Sequence, residues 1–133
     1  MANNNFTYDV TVRYFDLDTN NHVNNSVYFT YMEEARAKLM QKQFLKCKEN
    51  GISFVVAEAK CKFKNPIRMQ DRVSIKISIQ NIKGISFEIY YVFFDPLGQL
   101  FAEGNTRLAC VDAKSQKLIR LPKEVVNYLQ LTI

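Results

Sequence analysis

From Thr7 to Tyr14 polar and apolar residues alternate. Tyr8, Val10, Val12 and Tyr14 share one face, and Thr7, Asp9, Thr11 and Arg13 share the other. That period of two predicts a half-buried strand. It gives way to Asp16-Leu17-Asp18-Thr19-Asn20-Asn21-His22-Val23-Asn24-Asn25-Ser26, a run dense in turn and capping residues. An ordered loop is predicted there, ending in a helix N-cap at Asn25 or Ser26. Residues 27–49 then predict one long helix. Tyr28, Tyr31 or Met32, Ala35 and Leu39 recur at steps of three and four, with good helix formers between them. Asn50-Gly51 stops it, with Gly51 suited to the left-handed position after a helix.

After Gly51 the period returns to two. Residues 52–64 predict a strand that Pro66 ends. Val73, Ile75, Ile77 and Ile79 alternate with polar residues, as do Phe87, Ile89, Tyr91 and Phe93 after a turn near Lys83-Gly84. Asp95-Pro96-Leu97-Gly98 is a second turn, and residues 100–111 form the last strand. Leu121-Pro122 opens a short C-terminal helix, with Pro122 near its first position. Short turns make neighbouring strands antiparallel, and a helix with one apolar stripe buries it on the sheet. The expected fold is α+β: a curved antiparallel sheet of five strands wrapped around one long central helix.

Composition narrows the class. The 133 residues are expected to form a single domain spanning 1–133, and 47% hydrophobic with 23% charged residues excludes a disordered chain. No apolar run reaches the length of a membrane span, and Met1-Ala2-Asn3-Asn4-Asn5 lacks the basic and apolar segments of a leader. Three cysteines, Cys47, Cys61 and Cys110, and a single histidine call for neither a disulfide framework nor a zinc site. A reduced, cytoplasmic protein without a cofactor is expected. The net charge of +5 is dispersed, with no basic run and no nucleic-acid motif. Asp16, Asp18 and Asn20 have the spacing of a calcium loop, but Asn21 and Val27 stand where such a loop needs Gly and Glu.

The chemistry is concentrated in Asp18, Asn20, His22-Val23-Asn24-Asn25, Tyr28, Tyr31 and Glu33-Glu34-Ala35-Arg36. This string resembles the hotdog-fold thioesterases of the 4-hydroxybenzoyl-CoA thioesterase type. Its D-x-x-x-H-V-N-N-x-x-Y pattern is shared with bacterial long-chain acyl-CoA thioesterases, and its D-x-N-x-H with plant acyl-carrier-protein thioesterases. The strand pattern from Phe63 to Pro122 extends the resemblance over nearly the whole chain. One departure is Asn21, where many relatives carry Gly. Asn tolerates a left-handed backbone best after Gly. The resemblance implies a hotdog fold, hydrolysis of an acyl-CoA or acyl-carrier-protein thioester, and a homodimer or homotetramer with shared sites.

Thioester hydrolysis needs a base or nucleophile and stabilisation of the carbonyl oxygen. Asp18 lies just ahead of the helix start, where amides around Asn24 to Val27, Asn25 among them, have no intrahelical partner. Asp18 is therefore the expected general base or nucleophile, with both routes open. His22 is expected to orient Asp18 or water, and Asn20 to position water or the substrate carbonyl. Asp16 is read as a structural loop carboxylate. Lys60, Lys62 and Lys64 share one parity on their strand, as a solvated edge or as a comb for the phosphates of coenzyme A or a carrier's phosphopantetheine. Phe44 and Phe93-Phe94 are candidates to line an acyl tunnel. The rival functions are a non-catalytic acyl-thioester-binding module and a hotdog dehydratase.

Overall fold

A computed structural model describes residues 6–132. Met1–Asn5, where leader character was judged, and Ile133 lie outside the described residues. The elements are β1 (Phe6–Val10), α1 (Asn25–Leu39), α2 (Gln41–Glu49), β2 (Ile52–Phe63), β3 (Val73–Lys83), β4 (Ser86–Phe94), β5 (Leu100–Asp112) and α3 (Lys123–Leu131). The strands form one antiparallel sheet in the order β1-β3-β4-β5-β2. α1 lies across its inner face and buries Tyr28, Tyr31, Met32 and Ala35 there. The inner row of β3 and β4, Ile75, Ile77, Ile89, Tyr91 and Phe93, is sealed from solvent beneath it. The alternation of the sequence thus became a sheet with one wet and one dry face.

One glycine sets how closely the helix approaches. A Cβ on Gly104 of β5 would meet the end of the Met32 side chain, with Sδ 2.8 Å away. Met32 occupies the space that the missing side chain leaves on the strand.

Four expectations need correction. The first strand ends at Val10, where pairing with Val73 stops, although Val12 is still buried. Tyr14–Asp16 instead coils into a turn of 3-10 helix, and Tyr14 stands 74% exposed rather than inward. The helix N-cap is Asn24, whose Oδ1 accepts from the N–H and the hydroxyl of Ser26, each at 2.9 Å. The predicted long helix bends at Met40, which is fully buried with φ −107° and ψ 19°. No proline or glycine marks that bend. It turns α2 so that Phe44 packs on Phe54 of β2, ring centroids 5.2 Å apart. Pro122 is the N-cap of α3, one position earlier than expected. α3 is tied to the end of α1 by the Tyr128 hydroxyl, which donates to the carbonyl of Leu39 at 2.7 Å.

Candidate active site

The loop between β1 and α1 is a small hairpin. The Asp18 N–H donates to the His22 carbonyl at 2.7 Å, and Leu17 and Val23 bridge across it. The Asn24 N–H closes it on the Asp16 carbonyl at 2.8 Å. Asn21 sits at its tip with φ 61°, the left-handed conformation anticipated for it. The Val23 N–H donates to the Ile67 carbonyl at 2.8 Å, which fastens the loop to the segment after β2.

Asp18 and Asp16 have different surroundings. Asp18 is half-buried, and its Oδ1 accepts from the N–H groups of Asn20 (2.8 Å) and His22 (3.3 Å). Among the described residues both bonds fall on Oδ1, leaving Oδ2 without a donor. Asp16 is 9% exposed. Its Oδ2 accepts from the Tyr31 hydroxyl at 2.6 Å and the Arg13 N–H at 2.9 Å. Burial first, and then the hydrogen bond to Asp16, push the Tyr31 hydroxyl well above the ordinary tyrosine range, so it stays a donor. The Arg13 guanidinium continues to Glu34 of α1 at 2.7 Å, and the Tyr8 hydroxyl meets the same carboxylate at 3.1 Å. Asp16 is thus buried and bonded within the loop and to α1, as a loop carboxylate was expected to be.

Asp18, His22, Val23, Asn25 and Tyr28 line one open cavity of about 370 Å³ with Phe63, Lys64, Asn65 and Pro66 from the end of β2. The helix start borders it through Asn25. The Asn24 N–H is bonded to Asp16, the Ser26 N–H to the cap and the Val27 N–H to the Asn24 carbonyl at 2.9 Å. Among the described residues the N–H of Asn25, the first residue of the helix, has no partner. Asn20 reaches Asp18 through its backbone N–H, and its side chain is not part of the cavity wall. Tyr28 and Phe63 form the apolar wall, ring centroids 4.9 Å apart, with Phe93 behind Tyr28 at 5.5 Å. Phe63 and Asn65 come from some forty residues downstream, and no local pattern joined them to the loop.

The lysines are divided. Lys64 lines the cavity and pairs with Glu103 at 2.8 Å. That contact, with the Tyr90 hydroxyl, lowers the Glu103 carboxyl below its usual range. Lys60 and Lys62 stand over a separate depression on the outer face of the sheet, beside Tyr90 and Asn105. Phe44 lines a third hollow of about 550 Å³ between α1, α2 and the start of β2, with Phe54, Val56 and Arg36. Burial pushes the Cys61 and Cys110 thiols up to about 11, so neither supplies a thiolate at neutral pH.

The chain matches the thioesterase-like superfamily over residues 12–129. It belongs to that family. It is 30% identical over 124 residues to the long-chain acyl-CoA thioesterase FadM of Escherichia coli, covering 91% of this chain and 94% of that protein. With the 1,4-dihydroxy-2-naphthoyl-CoA hydrolase of Nostoc punctiforme it shares 28% over 129 residues, 94% and 86% of the two chains. The fold superposes on the crystal structure of Escherichia coli YbaW with a TM-score of 0.85, at 28% identity and over 96% and 98% of the chains. The hotdog fold and the enzyme class, thioester hydrolase, are those the sequence implied.

Proposed function

We propose that the protein hydrolyses an acyl-CoA or acyl-carrier-protein thioester to the free acid and the thiol, with Asp18 as the reacting carboxylate. The observation that carries the reading is that Asp18 and Asn25, whose N–H has no partner among the described residues, line one cavity. A donor at a helix N-terminus stabilises negative charge on an oxygen. With the thioester carbonyl on that N–H, Asp18 takes a proton from water, and the hydroxide adds to the carbonyl carbon. The tetrahedral oxyanion collapses and expels the thiolate, which receives the proton back. In the nucleophilic route the carboxylate itself adds and expels the thiolate, and water then cleaves the resulting anhydride. The anchoring of Oδ1 by loop amides leaves Oδ2 for either role. His22 borders the same cavity and orients Asp18 or water; Asn20 contributes through its backbone.

Two further parts of the reading concern binding and assembly. Lys64, with Lys60 and Lys62 along the same edge, is assigned to the phosphates of the substrate's coenzyme A or phosphopantetheine arm. β2 is an edge strand whose Val55, Val56 and Phe63 are exposed, and a second copy pairing there gives a homodimer. A panel of acyl-CoA thioesters, read by release of free thiol, tests the activity. Turnover of at least one member is expected. Tight binding of several with turnover of none would establish the non-catalytic binding module instead.

A further inference from the structure

We propose that Asp16 is a positioning residue for Asp18, acting through its buried hydrogen bond with Tyr31. This rests on the reading of Asp18 as the reacting carboxylate. The Asp18 side chain bonds only within its own loop among the described residues, to the N–H groups of Asn20 and His22. Nothing in those two bonds fixes the loop relative to the helix start that presents the Asn25 N–H. Asp16 supplies that link from both of its polar groups. Its carboxylate is held by Tyr31, two turns into α1, at 2.6 Å, and by the Arg13 N–H at 2.9 Å. Its carbonyl accepts the N–H of Asn24, the cap of the same helix, at 2.8 Å. The hairpin strand Asp16-Leu17-Asp18 is therefore pinned to α1 at two heights, with Leu17 bridged to Val23 between them. Asp18 follows two residues later, across Leu17, whose backbone is extended. A hydrogen bond sealed from solvent is stiff because losing it leaves a bare buried acceptor. A displacement near 1 Å at a reacting group lowers a rate by up to about 10²-fold.

The test is a kinetic double-mutant cycle on Asp16→Ala and Tyr31→Phe, with Asp18→Asn as reference, at a temperature where circular dichroism shows each variant fully folded. Tyr31→Phe should lower kcat about fivefold to tenfold, and Asp16→Ala about tenfold to a hundredfold, with KM within about twofold of the parent. The double variant should be no slower than Asp16→Ala, because the two groups act as one unit. A purely structural carboxylate would lower the melting temperature and leave kcat per folded molecule unchanged; that result, or effects that multiply, overturns the proposal. Should Asp16→Ala fail to fold, kcat of folded Tyr31→Phe decides alone. Asp18→Asn with full activity would overturn the reading of Asp18 itself, whereas an inactive Asp18→Asn beside an unaffected Tyr31→Phe would overturn only the positioning role.

Discussion

At the scale of single residues, two aspartates two positions apart differ in burial and in bonding. Asp16 gives its carboxylate to Tyr31 and Arg13 in the interior; Asp18, beside a cavity, has one oxygen without a donor among the described residues. His22 shares that cavity, and its own N–H bonds Asp18 at 3.3 Å. Replacing His22 by Ala should lower kcat by about tenfold to a few hundredfold, the range of a group that positions or handles a proton. Steady-state kinetics checks this, and unchanged kcat and KM would make His22 structural. Asp18, His22 and the left-handed Asn21 were legible because their types and spacing lie within a few consecutive residues. The donor role proposed for Asn25 was only half legible. It depends on which first-turn amides are already taken, and that follows from the cap falling at Asn24 rather than one residue later.

At the scale of elements, the start of α1 is both a cap and part of the site. Asn24→Ala removes the acceptor of two bonds from Ser26 and should destabilise the protein by about 1 kcal/mol. Urea unfolding should show the midpoint fall with the slope unchanged; an unmoved midpoint would show that the cap contributes nothing. Gly104→Ala should destabilise by roughly 1–3 kcal/mol, because Met32 must leave its place between helix and strand. β3 and β4 were legible from alternation, since each has one dry face, whereas β2 carries no buried residue and was legible from its bounds at Gly51 and Pro66. The bend at Met40 was not. It accompanies the packing of Phe44 on Phe54, a contact between helix and sheet that no breaker residue announces. Tyr14 misled for the opposite reason: the alternation runs on through it after β1 has lost its pairing partner.

At the scale of the whole molecule, β2 is one of the two edge strands of the sheet, with Lys60 and Lys62 on it, Lys64 just past its end, and Val55, Val56 and Phe63 exposed along it. Sedimentation at micromolar concentration should show a dimer or larger species and no dominant monomer; a fully active monomer contradicts the edge-pairing account. Replacing the three lysines by Gln should raise KM for acyl-CoA, and the effect should shrink as salt screens the phosphates. Lys64 should account for most of it, since it alone of the three lines the cavity. The parity of these lysines was legible in the sequence, but their division between two depressions, Lys60 and Lys62 beside Tyr90 and Lys64 beside Asp18, was not, because it depends on which strands and loops lie alongside. The most direct measurement of the central claim is thiol release from an acyl-CoA by Asp18→Asn, with Asp18→Ala beside it to expose any slow deamidation. The side chain keeps its size and its loop bonds and loses its charge. The account predicts a fall in kcat of at least ~10²-fold, ~2.7 kcal/mol of barrier, with KM little changed. Turnover by folded Asp18→Ala within about twofold of the parent enzyme would contradict it.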